Sequence, residues 1–184
     1  MEIEDLELEG LKLITLAVHG DERGFFVERF SEEKFKDGGL PIKYMQDNHS
    51  RSAAGILRGL HYQHDPAQGK LVGVINGSIL DVAVDIRKDS PTFGQHAAVE
   101  LSDMNGKLLW LPAGFAHGFC VLGDKPADVM YKVSATYNPE GEGGIRYDDP
   151  ELGINWPIPS PQISERDKGL ASFAAYKALS LIHI

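Results

Sequence analysis

Seven histidines stand in a chain of 184 residues, so the first chemistry to weigh is metal binding. A mononuclear site brings three or four ligands to one point. His61 and His64 are three apart, which on a strand sends their side chains to opposite faces. There is no His-x-His pair, and no glutamate follows His64 within the next few positions. The spacing predicts no metal, and metal-free acid–base chemistry becomes the reading to follow.

Leu57-Arg58-Gly59-Leu60-His61-Tyr62-Gln63 reads as a strand carrying such chemistry. Leu57, Gly59, His61 and Gln63 share one parity, and Arg58, Leu60 and Tyr62 the other. If His61 faces inward, Arg58 points away unless a bulge re-aims it, and Gly59 is where a bulge would sit. The plainer alternative is an interior histidine and a surface arginine. Lys70 opens the next strand. It is either solvent-facing, as strand lysines usually are, or a fixed positive charge beside a base, suited to holding an enolate. Tyr131 and Tyr137 share a parity on a strand read as Val129–Tyr137. A phenol there either packs, delivers a proton or offers its face for stacking. Asp167 is the fourth residue of Ser164-Glu165-Arg166-Asp167, which fits a helix-capping box; its carboxylate could instead orient a ring nitrogen of His61. Arg23, in the turn Asp21-Glu22-Arg23-Gly24, is either a phosphate fork or a solvated loop residue. No Gly-x-Gly-x-x-Gly or P-loop lysine is present, so a nucleotide would be bound by other means.

These residues must be positioned by strands. Leu11–Val18, Phe25–Phe30, Ile56–Gln63, Lys70–Ile75, Ser78–Ile86, Gln95–Leu101, Leu108–Leu111, His117–Leu122 and Val129–Tyr137 all have strand length and are punctuated by turn residues, the pattern of a sandwich or barrel. Asn76-Gly77 predicts a type I′ turn and a hairpin between its flanking strands. Leu80, Val82, Val84 and Ile86 alternate with Asp81, Ala83 and Asp85, which predicts a half-buried strand. Ser31 should cap a short helix ending near Gly38-Gly39. A C-terminal helix should place Leu170, Phe173, Ala174, Lys177 and Ala178 on one face. No repeat or linker interrupts residues 1–184, which read as one domain.

A net charge of −9 without a basic run argues against nucleic acid as a partner. Cys120 stands alone in an apolar run and demands no oxidising compartment. The acidic MEIEDLELEG start lacks a signal-peptide pattern, and no apolar run is long enough to span a bilayer. The expectation is a cytoplasmic protein without a membrane partner.

Eight strings in order carry a further resemblance: Asp21-Glu22-Arg23-Gly24-Phe25-Phe26, Gln46-Asp47-Asn48-His49-Ser50, the Leu57–Gln63 segment, Gln68-Gly69-Lys70-Leu71-Val72, Asp81–Arg87, Ser90-Pro91-Thr92-Phe93-Gly94, Pro112–Phe119 and Glu142-Gly143-Gly144-Ile145. In these the chain resembles the dTDP-4-dehydrorhamnose 3,5-epimerase family over nearly its whole length. The resemblance implies a mainly β fold, a double-stranded β-helix (jelly-roll, cupin-like) barrel with short flanking helices. It implies no metal and no cofactor, a dTDP-sugar substrate, and a homodimer with exchanged N-terminal strands. It assigns His61 as base, Asp167 as its partner, Lys70 as enolate stabiliser and Tyr131 as proton donor. Gln46, Asp47, Asn48, Arg58 and His117 become pocket residues. Arg23, Phe26, Glu28 and Glu142 go to the nucleotide end of the substrate, with Tyr137 as a platform for thymine. Rhamnose biosynthesis for a cell envelope is the expected setting. The alternatives are a single-centre C3 or C5 epimerase, a 3,4-ketoisomerase and a non-catalytic sugar-nucleotide-binding barrel. His64 and the closing Leu181-Ile182-His183-Ile184 have no counterpart in the family pattern.

Overall fold

A computed structural model describes residues 1–179; the Leu181–Ile184 segment lies outside the described residues. The elements in chain order are β1 (Glu2–Asp5), β2 (Lys12–Thr15), β3 (Val18–Asp21), β4 (Gly24–Val27), α1 (Glu32–Asp37), β5 (Gln46–Ser52), β6 (Leu57–Gln63), β7 (Lys70–Asn76), β8 (Ser78–Asp85), β9 (His96–Ser102), β10 (Lys107–Leu111), β11 (Phe115–Val121), β12 (Ala127–Val133), β13 (Glu142–Gly144), α2 (Glu165–Lys168) and α3 (Phe173–Ala178). The fold is mainly β, as expected. Among the described residues, six strands form one sheet in the order β1-β2-β10-β7-β12-β5, five form a second in the order β13-β6-β11-β8-β9, and β3 and β4 pair only with each other.

The two large sheets enclose an apolar layer. Val72 and Val74 of β7, Leu109 and Leu111 of β10, and Val129 of β12 meet Ile79 and Ala83 of β8 and Phe115, Phe119 and Val121 of β11. Each such side chain contributes roughly 1.5–3 kcal/mol on burial. Ser31 caps α1 as expected, and Phe35 of that helix is buried with Ile14, Leu71, Leu108 and Trp110 against the outside of the six-stranded sheet. On the outside of the five-stranded sheet, Leu60, Val82, Val84 and Ala116 are covered by Leu152, Phe173 and Tyr176 from the C-terminal segment. The strand β8 is therefore buried on both faces rather than half-buried, because that segment supplies a cover its alternation does not reveal.

Three further expectations are corrected. The Asn76-Gly77 turn is tight, with Gly77 at φ +82, but it makes no hairpin. It carries the chain from β7 in one sheet to β8 in the other, since β7 is already paired by β10 and β12, and β8 by β11 and β9. The strand β12 ends at Val133, which leaves Tyr137 beyond it. The expected C-terminal helix is two short ones. Ser164 caps α2, and Ser172 starts α3 afresh after the break at Gly169.

The strand β6 departs from regular pleating where its sequence suggests. Against β11, His61 lies opposite His117 and Arg58 opposite Phe119, so two residues of β6, Gly59 and Leu60, stand against the single Gly118 of its neighbour. The bulge brings Arg58 and His61, of opposite parity, to the same cavity. Gly59 takes φ +117, and a Cβ there would lie 2.6 Å from Gly118 Cα and 2.7 Å from the His117 carbonyl oxygen. Gly59→Ala is accordingly expected to lower stability by about 3 kcal/mol through overpacking and backbone strain. It should also lower kcat/KM, because the crossing of β6 and β11 that places His61 must open. Urea denaturation and steady-state kinetics of the same preparation check both effects.

Candidate active site

At one end of the sandwich the facing sheets part around a cavity of about 410 Å³. Strand parity explains who faces it. On β5, Gln46, Asn48 and Ser50 share the inner face; on β7, Lys70 shares it with Val72 and Val74; on β12, Tyr131 shares it with Val129. From the five-stranded sheet come Arg58, His61, His117 and Glu142. The cavity therefore gathers nearly every residue assigned to catalysis. His61 and Tyr131 enter from opposite sheets. Asp167 stands behind His61.

The two readings of Asp167 separate cleanly. Its backbone N–H donates to Ser164 Oγ at 3.0 Å, which completes the helix cap. Its side chain does something else: Oδ1 lies 2.7 Å from His61 Nε2, and Oδ2 accepts from the Gly59 N–H at 3.4 Å. Burial works to raise the Asp167 carboxyl, but the bonds from His61, Gly59 and Ser164 outweigh it and hold the group below the ordinary aspartate value. An ionised Asp167 only accepts, so His61 carries its proton on Nε2 and keeps Nδ1 as the free base. Asp167→Asn removes that charge with little change of shape. It is expected to lower kcat by about 10²-fold or more and, because a carboxyl held below its ordinary value stabilises the fold at neutral pH, to lower the melting temperature modestly, a pair of readings that kinetics and a melting curve provide.

Lys70 is buried, and its Nζ donates to the His61 carbonyl oxygen at 3.3 Å. Burial lowers its pKa to about 8, with Glu142 and Asp81 pulling upward. Tyr131 is pushed the other way, chiefly by burial and further by Glu142, against an opposing pull from Arg58. It stays a neutral phenol with a proton to give, beside a guanidinium that would favour the phenolate. Opposite His61 on β11 is a second imidazole–carboxylate pair, His117 Nε2 to the wholly buried Asp81 Oδ1 at 2.7 Å. Asp81 is not among the residues the sequence singles out for chemistry. Its alternation assigns it to the polar face of a half-buried strand, and only the burial of both faces of β8 turns it inward.

The residues that the resemblance assigns to the nucleotide end are only partly gathered. Glu142 Oε2 accepts from the Tyr137 hydroxyl at 2.9 Å and pairs with Arg166 Nη2 at 2.8 Å. Arg166 escapes sequence reasoning as well, hidden inside the capping string. Gln46 and Asn48 are bonded to each other, Nε2 to Oδ1 at 2.7 Å. Asp47 points to the outer face and pairs with Lys132, since its parity on β5 opposes that of its neighbours. Arg23, Phe26 and Glu28 lie outside the cavity altogether. Arg23 pairs with Asp21 and Glu28 with Lys34 on or beside the β3–β4 ribbon. His64 lies in the turn after β6 and does not face the cavity. Among the described residues no three His, Cys, Asp or Glu side chains converge as a metal would require, and no helix is long and apolar enough to cross a membrane.

Comparison with known proteins adds an independent line. A family model described as dTDP-4-dehydrorhamnose 3,5-epimerase matches residues 5–175. A protein of that name from Shigella flexneri is 47% identical over 169 residues, 91% of this chain and 93% of its own. The crystal structure of a dTDP-6-deoxy-D-glucose-3,5-epimerase from Legionella pneumophila, in complex with dTDP-4-keto-L-rhamnose, superposes with a TM-score of 0.89 at 47% identity and covers 93% of this chain and 92% of that one. A 3′-monoepimerase from Streptomyces bikiniensis, in complex with dTDP-quinovose, gives 0.89 at 35% identity over 96% of this chain and 90% of that one.

Proposed function

The chain belongs to the dTDP-4-dehydrorhamnose 3,5-epimerase family, and from that premise we propose that it inverts C3 and C5 of dTDP-4-dehydro-6-deoxy-D-glucose to give dTDP-4-dehydro-L-rhamnose. The observation that carries this reading is the placement of a carboxylate-backed imidazole and a half-buried phenol on facing sheets across one cavity.

Inversion needs a base on one side of the sugar ring and an acid on the other. The C4 ketone acidifies the hydrogens on C3 and C5. His61 removes the proton at one centre, and Asp167 stabilises the imidazolium that forms. The electron pair moves onto the C4 oxygen, where the Lys70 ammonium meets the enolate. Tyr131 then protonates the same carbon from the far face. The phenolate it leaves stands near Arg58. His61 then gives up the proton it took and Tyr131 regains the one it gave, through solvent, which readies the site for the second centre.

Proton NMR of the 4-keto sugar nucleotide in D₂O tests the reading. Deuterium at both C3 and C5 is expected. Deuterium at one alone would make this a single-centre epimerase, a moved carbonyl would make it a ketoisomerase, and tight binding without exchange would leave a sugar-nucleotide-binding barrel.

The finer architecture follows the same reading: one jelly-roll domain over the whole chain, acting in the cytoplasm as a homodimer. What supports the dimer is the β3–β4 ribbon. It pairs with no other strand, exposes Val18, Phe25 and Phe26, and carries Arg23 away from its own cavity. A partner's cavity mouth would cover those aromatics and use that guanidinium on a diphosphate. Mixing Arg23→Ala chains with His61→Asn chains should then restore one intact site per mixed dimer, where either homodimer is impaired. Absence of complementation would return the ribbon to its own subunit.

A further inference from the structure

Gln63 ends β6 and is buried, yet it takes no part in the steps above and does not line the cavity. Its amide is fully engaged. Nε2 donates to the carbonyl oxygens of Pro66 at 2.8 Å and Thr136 at 3.0 Å, and Oε1 accepts from the Asn138 N–H at 2.9 Å. Two of these three bonds fall on the residues that flank Tyr137. The Tyr137 N–H itself donates to Gln46 Oε1 at 3.1 Å. Three consecutive residues beyond β12 thus each have a backbone group held by a glutamine side chain.

Packing does not do this work. Tyr137 is 53% exposed and belongs to none of the three apolar clusters. Its ring direction is set by its backbone and by the bond from its hydroxyl to Glu142. Side-chain amides on irregular backbone do for this segment what a paired strand would otherwise do.

We propose that Gln63 is the positioning residue for the nucleotide end of the substrate, fixing Thr136–Asn138 so that Tyr137 presents its ring at the cavity mouth as a surface for the base. The proposal rests on the reading of Tyr137 as that platform. Because Gln63 shares a strand with His61, affinity and turnover must be read separately.

The test measures kcat, KM and calorimetric dTDP binding for the unaltered chain, Gln63→Met, Tyr137→Ala and the double variant. Gln63→Met should weaken dTDP binding and raise KM about tenfold with kcat within about twofold, the scale of losing one stacked base. In the Tyr137→Ala background it should add almost nothing. A fall in kcat at constant KM, or a full additional loss in the double variant, would overturn the proposal. So would a weakened Tyr137→Ala beside an unaffected Gln63→Met. If Tyr137→Ala alone binds dTDP normally, the platform reading fails first and takes the proposal with it. Gln63→Glu carries the same cycle should Gln63→Met fail to fold. It keeps the acceptor for Asn138 but turns oxygen toward two carbonyls in neutral buffer. Its deficit relative to the unaltered chain should shrink in mildly acid buffer, where the protonated carboxyl donates again. A deficit indifferent to pH would count against the proposal.

Discussion

Replacing His61 by asparagine is expected to lower kcat on the order of 10³-fold, the range lost with a positioned general base, and to remove deuterium exchange at C3 and C5 together. The joint loss is the sharper statement. Of the two carboxylate-backed imidazoles in the cavity, His61 with Asp167 at 2.7 Å is the open one, its side chain 25% exposed against 8% for His117, on the sheet that faces Tyr131. The sugar must therefore present each centre in turn to the same imidazole. Binding of dTDP should be nearly unaffected, since no described contact of His61 reaches the Tyr137 and Glu142 end of the cavity. Exchange surviving at one centre in the His61→Asn chain would mean a second base. His117, paired with Asp81, would then be the group to remove next.

Lys70→Met should separate activity from stability. Loss of the ammonium beside the enolate oxygen is expected to lower kcat by about 10²–10³-fold, as removal of one electrostatic contact to a developing oxyanion does elsewhere. The folded protein should nevertheless become harder to unfold. Lys70 is buried and its pKa falls from 10.5 to about 8, so at neutral pH the folded state carries a charge that burial disfavours. The sign follows from proton counts. Between the folded and unfolded values the unfolded chain binds more protons, so stability rises with pH through that window and the penalty is full below it. Removing it should raise unfolding free energy by up to about 3 kcal/mol at neutral pH, at about 1.4 kcal/mol per pH unit. Activity of the unaltered enzyme runs the opposite way, declining as pH rises through about 8 and the ammonium is lost. Thermal melts and a pH–rate profile on both chains read the two trends. A Lys70→Met chain that is both inactive and less stable would contradict the account.

What can be read from the sequence depends on whether a local rule meets a tertiary one. The Gly59 bulge is legible because a glycine sits where Arg58 and His61 have opposite parity, and a bulge is the local device that brings both to one face. Ser31 and Ser164 are legible as caps because a cap is settled within four residues. The Asn76-Gly77 pair is right as a turn and wrong as a hairpin, since turn chemistry is local while strand pairing is decided by distant partners such as β10 and β11. The strand β5 is invisible in the sequence. Gln46-Asp47-Asn48-His49-Ser50-Arg51-Ser52 has no apolar alternation, because its inner face lines a polar cavity and its outer face forms ion pairs with Lys132 and Asp128. Function erased the pattern by which strands are found. Asp81 is overlooked because its alternation with Leu80 and Val82 marks it as solvent-facing, while the second sheet face is buried by partners distant in sequence. Asp167 holds two roles at once, backbone to the cap and carboxylate to His61, so weighing one against the other poses a choice the molecule does not make.

That carboxylate arrives late in the chain. It rides on α2, which is anchored to the sheets through Ile56 beside Gln162 and Ile145 beside Ala171, after every strand has already been laid down. During synthesis both sheets can be complete while residue 167 is still inside the ribosome, and His61 at that moment has no partner to set its tautomer. A chain clipped before α2 would lose Arg166 from the cavity as well as the carboxylate behind His61, and would bare the apolar face that Phe173 and Tyr176 cover. The cavity is thus finished from the far end of the chain, by the segment that follows the strands.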